Sequence, residues 1–484
     1  MFDRDLLTER ARVTPDRLAL VVVETGERLT YAQLDARAER AAATLMAKGI
    51  HAGDRFAVLA YNCVEFLDLF FGALKCGAII VPLSTRATAH ELNAILADCG
   101  AKVVFAGPEF EALALSVARC SLSERIDATT KDEQRSTDNE TACLLYTSGT
   151  TGKPKGVMIP RRQLFWNGMN TVVNWGLRED DVSPIFTPLY HAGGVAAFLI
   201  PIFTVGGTVV LHKGFDAAEV WRVIESERCT VILGVPTIWK LLLDAPEFAA
   251  AKLDHVRWLI SGGAPLPAYL IEAYAARGLV MKQGYGMTEV GVNCFTMTAQ
   301  EAQRKATTIG RPMLYTELRI AGADGAEVAT GEVGEMWLRG PHVSLGYWQN
   351  AEATAASYRD DGWFRTGDLA RRDEEGFVTI AGRAKEMFIS GGVNVYPAEI
   401  EAELLAHPRV ADAAVLPVAD ETWGEVAVAF VVGEASEGDL ASWLEERLAR
   451  YKLPRRFLFL DALPRSPYGK VEKAKLRDRL VGIP

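Results

Sequence analysis

Between Arg28 and Gly107 the chain alternates short apolar runs with amphipathic ones. "RLTYAQLDARAERAAATLMAKGI" reads as a helix entered at Thr30, a suitable N-cap, with apolar residues at helical spacing up to Gly49. "RFAVLAY" then reads as a strand, "VEFLDLFFGALKCG" as a helix, "AIIVPL" as a strand, "TAHELNAILADCG" as a helix and "KVVFAG" as a strand. Strands separated by helices must cross over, so they lie parallel in open sheets with helices on the faces. A second round follows. "FDAAEVWRVIESERC", "TIWKLLLDA" and "PAYLIEAYAARG" are helical, and "TVILGVP" and "VRWLISG" are strands. From Gly310 to Gly382, "TELRIAG", "GEVGEMWLRG" and "GFVTIAGR" are β-rich with frequent glycine turns, which predicts a small barrel or curled sheet. After Arg383 the chain restarts as a compact α+β unit. The expected class is therefore α/β, a large two-sheet N-terminal part with a small β-barrel and a C-terminal α+β domain.

The stretch "YTSGTTGKPKG", Tyr146 to Gly156, follows a polar surface loop from Ser121 to Thr141. It differs from a Walker loop, because Pro154 follows Gly152-Lys153 and Thr147 stands where the first glycine is needed. Its flanks, "ACLLY" and "GVMIP", both read as strands, so no helix N-terminus faces a ligand. Phosphate would instead meet backbone N–H groups freed by Gly149, Gly152 and Gly156. The hydroxyls of Thr147, Ser148, Thr150 and Thr151 add donors, and Lys153 and Lys155 add charge.

The net charge of −10, with no long basic run, argues against nucleic acid. Seven scattered cysteines without a C-x-x-C point to a reduced cytoplasmic protein rather than a disulfide or zinc framework. Gly193 to Leu211 carries no charge over nineteen residues, but Pro201 and Gly206-Gly207 interrupt it. The reading is a buried helix, a turn and a buried strand, not a membrane span. A homodimer is the one assembly left open.

Seven motifs stand in order: the loop at 146–156, "TPLYHAGG" at 187–194, "SGGAPLP" at 261–267, "QGYGMTE" at 283–289, "GWFRTGDLA" at 362–370, "GFVTIAGRAKEMFISGGVNVYPAEIE" at 376–401 and "LPRSPYGKVEKAKLR" at 463–477. Together they resemble the adenylate-forming superfamily, in its acyl-CoA synthetase branch, over nearly the whole chain. The resemblance implies an N-terminal AMP- and acyl-binding domain over 1–384 and a mobile C-terminal domain over 385–484. It implies ATP, Mg²⁺ and coenzyme A as reactants and an acyl-adenylate intermediate.

Residue roles follow from the same resemblance. Thr288 would contact the α-phosphate and Glu289 would hold the metal. Gly262, Gly263 and Ala264 would wall the adenine, with Tyr285 stacked on it and Gly286 beside it. Asp368 would accept both ribose hydroxyls and Arg383 would contact the ribose. Lys470 would lie between the incoming carboxylate and the α-phosphate, where one ammonium neutralises two anions that otherwise repel. Lys385 sits at the hinge position, Gly391 and Gly392 would line the pantetheine tunnel, and His191 would gate it.

The acid itself is read from the residues around these motifs. "YH" at 190–191 lacks the aspartate that would meet an α-ammonium, which disfavours amino acids. Phe186, His191, Gly262, Gly263, Gly284, Met287, Val290 and Gly291 make a small apolar acyl pocket with no cation. A medium- or long-chain fatty acid is the first expectation and a benzoate- or cinnamate-type acid the second. A stand-alone adenylation enzyme loading a carrier protein, or a non-catalytic nucleotide binder, are the rival functions. Intact Lys470, Thr288 and Glu289 disfavour the latter.

Overall fold

The computed structural model describes residues 5–113, 115–122, 140–147, 154–390, 392–420, 422–465 and 471–480. Most of the polar 121–141 stretch lies outside them, as do Ser148, Gly149, Thr150, Thr151, Gly152, Lys153, Gly391 and Lys470.

Two largely parallel sheets carry the first alternation. One has six strands, in the order Arg119–Ser121, Val104–Ala106, Arg55–Leu59, Ile79–Pro82, Thr141–Thr147 and Lys155–Pro160; only the last pair is antiparallel. The other has four strands, in the order Arg28–Thr30, Leu18–Val22, Thr208–Leu211 and Val182–Ile185. Between them packs the Tyr31–Ala47 helix, opened at Thr30 by a complete capping box with Gln33. The Val64–Cys76 helix joins it in a continuous core with Phe70, Phe71 and Phe203. A third, wholly parallel sheet is formed by Val231–Gly234, Trp258–Ser261 and Met281–Gln283.

The uncharged 193–211 stretch folds as expected. A helix from Ala192 passes through a wide π turn at Val195–Leu199 to Ile200–Val205, turns at Gly206 and pairs as the Thr208–Leu211 strand. Among the described residues no helix is long and apolar enough to cross a membrane.

Of the small barrel or curled sheet expected of the β-rich segment, the structure has the curled sheet and not the barrel. Glu317–Ala321, Gly334–Arg339, Phe364–Arg372 and Val378–Arg383 form an open antiparallel sheet whose outer strands do not pair. Val378 pairs with Gly310, so the outer strand continues toward the 295–312 segment rather than back to Glu317–Ala321. Register shifts at Glu335/Trp337 and Leu369/Ala370 instead accompany a curled sheet over Val290, Cys294, Phe295 and Met336. Beyond Arg383, a hairpin of Phe388–Ser390 and Val393–Val395 joins the long strands Val410–Asp420 and Gly424–Gly433, with Arg456–Phe459 added in parallel. The Pro397–Leu405 and Glu437–Glu445 helices cover one face, and the unit has its own apolar cores.

Candidate active site

The carboxyl ends of the parallel strands converge, which is where open α/β sheets bind ligands. Gly262 follows the Trp258–Ser261 strand and Gly284 follows Met281–Gln283, tied by Gly262 N–H to Gly234 O and Gly284 N–H to Ser261 O. Gly262 is half-buried and Gly263 and Ala264 are exposed. Gly286 lies so close to the returning chain that a Cβ would stand 2.3 Å from Val292 C, so no other residue fits.

Tyr285, Asp368 and Arg383 meet. The Tyr285 hydroxyl donates to Asp368 Oδ2 at 2.5 Å, and Arg383 Nε lies 2.7 Å from Oδ1. Asp368 and Arg383 are opposite each other in the sheet register, so one strand pairing places both. Burial, then the Asp368 charge, raises the Tyr285 phenol well above its ordinary pKa. It therefore remains a neutral donor.

The strands flanking the loop expected to hold phosphate are the ones its sequence suggested. Thr147 pairs with Lys155 across the antiparallel strands on either side of it. Segment 346–348 adds to the outer edge, with Met158 N–H to Gly346 O and Trp348 N–H to Gly156 O. This puts Tyr347 between two charged groups. Its hydroxyl donates to Glu289 Oε1 at 3.0 Å, and Lys155 Nζ stands 5.2 Å from its ring centroid. Glu289 is buried, in a single turn at Thr288–Val290.

Among the described residues no cluster of three or more His, Cys, Asp or Glu side chains could hold a metal. One buried carboxylate beside a phosphate loop suits a hard ion held mainly by nucleotide oxygens, which is how Mg²⁺ is bound. Glu289 would hold it, and the ion would neutralise phosphate charge.

On the other side of Thr288 lies a narrow cavity with about 20 Å³ open to a water-sized sphere. Phe70, Leu145, Ile159, Leu164, Val195 and Val292 supply its apolar wall, with Gly291 and Thr288 at the site end. Gln163 and Asn167 add amides, and no charged side chain lines it among the described residues. The Arg161–Trp175 helix holds these amides. Gln163 Nε2 donates to Thr288 O at 2.9 Å, and Asn167 Nδ2 to Ala196 O at 2.6 Å. Asn293 Nδ2 donates to Ala197 O at 2.9 Å. Side-chain donors thus meet carbonyls of the π turn, a local irregularity common at functional sites.

The residues expected around the acyl group are spread out. Gly291 lines the cavity. Phe186 is in the core against Phe215 and His212, and Val290 and Met287 belong to the core under the curled sheet. A Cβ on Gly284 would meet Ile260 and Trp175. His191 is half-buried at the head of the 192–194 turn, beside Tyr190. Lys385 is in an exposed turn between Arg383 and Met387. Gly392 closes the 388–395 hairpin with φ +81°, a turn conformation that suits glycine whatever passes beside it.

Sequence reading missed Gln163, Asn167, Tyr347 and Asn62. Asn62 Oδ1 accepts from Leu189 N–H at 2.8 Å and its Nδ2 donates to Thr187 O at 3.0 Å, pinning the loop that carries His191. Asn62→Ala strands two backbone groups beside a buried side chain. It should lower unfolding free energy by about 2–4 kcal/mol, read as an earlier urea midpoint at unchanged slope.

Lys282, on the strand leading to Tyr285, is 6% exposed with its ammonium 4.6 Å from the Trp258 ring centroid. Burial, reinforced by Arg257, pushes it from 10.5 to about 8. Below about pH 8 both folded and unfolded states hold the proton, and the folded state bears the cost of burying it. Between about 8 and 10.5 the unfolded state binds more protons, so stability rises with pH. Trp258 offsets part of the cost. Lys282→Met should therefore stabilise the chain by about 2 kcal/mol at neutral pH and flatten the rise, as read from denaturant melts across that window.

Comparison with known proteins agrees with this geometry. Residues 7–348 match the AMP-binding enzyme family and 399–470 match the AMP-binding enzyme C-terminal domain. The chain is 40% identical to a feruloyl-CoA synthase of an Amycolatopsis species, over 97% of both chains. It is 39% identical to a long-chain-fatty-acid–CoA ligase of Mycobacterium tuberculosis, over 98% of this chain and 97% of that one. Among solved structures it resembles the o-succinylbenzoate CoA synthetase of Bacillus subtilis in complex with its acyl-adenylate intermediate, with TM-score 0.88, 33% identity and 98% of each chain covered. The ordered motifs, the meeting of Tyr285, Asp368 and Arg383, and these full-length matches place the chain in the AMP-binding enzyme family, as an AMP-forming acid–CoA ligase that uses ATP, Mg²⁺ and coenzyme A.

Proposed function

We propose that the acid is a monocarboxylate with an aromatic body, activated as its adenylate and passed to CoA. The observation that carries this reading is the cavity beyond Thr288, which is apolar, uncharged and edged by the amides of Gln163 and Asn167. A planar ring with a polar substituent meets both kinds of wall. An alkyl chain meets only one, and the similarity to a feruloyl-CoA synthase points the same way. A medium- or long-chain fatty acid is the second reading. The aliphatic wall and the similarity to a long-chain-fatty-acid–CoA ligase support it.

In the first step a carboxylate oxygen attacks the α-phosphorus, and the bond to the bridging oxygen of pyrophosphate breaks. The phosphate loop, Lys155 included, holds the departing phosphates. Thr288 meets the α-phosphate, and Lys470 neutralises both reacting anions. Asp368 and Arg383 hold the ribose and Tyr285 the adenine, against Gly262, Gly263 and Ala264. The C-terminal unit then turns about Lys385, and the thiol of CoA enters past Gly391, Gly392 and His191. Thiol sulfur attacks the acyl carbon, the thiol proton is lost to solvent, and AMP leaves with the electron pair of the mixed anhydride.

The deciding experiment measures pyrophosphate release over cinnamates, benzoates and saturated alkanoates. Arylalkenoates or benzoates should give the highest kcat/KM. Alkanoates that exceed every aromatic acid would replace the first reading with the second. ADP in place of AMP would remove both.

A further inference from the structure

The Gln163 side chain is 3% exposed and lines the cavity next to Thr288. Its amide is oriented by chemistry. Nε2 lies 2.9 Å from the Thr288 carbonyl oxygen, which can only accept, so the nitrogen must occupy that end. Oε1 is then the other end, and it is buried with no hydrogen-bond partner in the protein. Asn167, the second amide on the wall, is satisfied at both ends. Its Nδ2 donates to Ala196 O and its Oδ1 accepts from Asn293 N–H. Among the described lining side chains, Gln163 alone presents a buried acceptor without a donor. Buried carbonyl oxygens are rarely left so, and the donor that pairs with this one is either a water or a group on the bound acid.

We propose that Gln163 is a specificity-determining residue whose Oε1 accepts a hydrogen bond from an O–H or N–H group on the body of the acid. The proposal rests on the acid–CoA ligase reading and narrows its substrate class to aromatic acids bearing such a donor. Hydroxycinnamate- and indole-type acids satisfy Oε1. Their donor-free analogues fit the same apolar wall but leave it unpaired. A site built around a buried hydrogen bond discriminates against the analogue that lacks it far more sharply than an apolar pocket resolves a methylene.

The test is kcat/KM on matched acids with the full chain. Cinnamates hydroxylated at each ring position in turn are set against cinnamate, and indoleacetate against its N-methyl derivative. At least one hydroxylated cinnamate, or indoleacetate, should exceed its donor-free partner by about tenfold or more. Gln163→Met should bring that ratio to within about twofold. Any loosening of Thr288 slows both members of a pair and cancels in the ratio. The wild-type measurement stands by itself if the variant does not fold. Wild-type ratios all within twofold, as a buried water on Oε1 would give, overturn the proposal; so does a variant that keeps the wild-type ratio. Turnover of alkanoates alone overturns it while leaving the ligase intact. Failure of every acid to yield an adenylate overturns the reading beneath it.

Discussion

Malonate and succinate should be adenylated at least about a thousandfold less efficiently than a cinnamate- or octanoate-type acid, judged by kcat/KM for pyrophosphate release. One carboxylate of a diacid can take the reacting position next to Thr288. The other is then carried into a cavity walled by Phe70, Leu145, Ile159 and Val292, with no cation among its described lining residues. The amides of Gln163 and Asn167 are poor compensation. Both Asn167 ends and the Gln163 nitrogen are engaged, and Gln163 Oε1 is an acceptor that repels a carboxylate. An unpaired buried carboxylate costs at least several kcal/mol, and about 4 kcal/mol already gives a thousandfold. Comparable rates on malonate and cinnamate would mean that the acyl group lies elsewhere, against charged residues that this cavity does not contain.

Much of the fold was legible because local chemistry agreed with it. Thr30 and Gln33 form the capping box that the helix start suggested, and the 193–211 punctuation produced a helix, a turn and a strand. Asp368 and Arg383, expected at the nucleoside, come together because one strand register sets them opposite each other. Barrel and curled sheet could not be told apart because glycine-rich strands signal curvature but not closure, and closure depends on whether the outer strands meet. The cavity proposed for the acyl group was less legible. Reading outward from the motifs gave Phe186 and Val290, neighbours of the site in sequence that turn into the cores. The cavity is built instead by the Arg161–Trp175 helix, which its flanks did not announce. A signal was present: Gln163, Asn167, Asn170, Thr171 and Asn174 place polar side chains on one helical face, and all but Asn174 are buried. That is the reverse of an ordinary amphipathic helix, whose buried stripe is apolar. Asn62 and Tyr347 carried no such mark, since their partners come from chain more than fifty residues away.

Two lysines should separate the half-reactions. Lys470→Ala should slow acyl-adenylate formation by about a hundredfold or more, the scale of removing one preorganised charge from a water-poor site. Lys470 lies outside the described residues, but Arg465 and Val471 pair as a bridge on either side of it. Lys473 is anchored to Glu386 and Glu401, at 2.8 and 2.9 Å. Both flanks of Lys470 therefore belong to the C-terminal unit. On the proposed rotation the ammonium would be withdrawn before thioester formation, so the variant given synthetic acyl-AMP should make acyl-CoA near the normal rate. Lys385→Pro should do the reverse. Among the described backbone hydrogen bonds of this turn, Ala384, Glu386 and Met387 donate and Lys385 does not, so proline removes no bond seen there. It does fix φ and restrict Ala384 before it, stiffening the turn proposed as the hinge. Adenylation should survive, seen as exchange of labelled pyrophosphate into ATP, while acyl-CoA formation from acyl-AMP falls by about tenfold or more. If both variants keep wild-type melting curves yet lose both half-reactions equally, one fixed arrangement serves both steps and the hinge assignment of Lys385 is wrong.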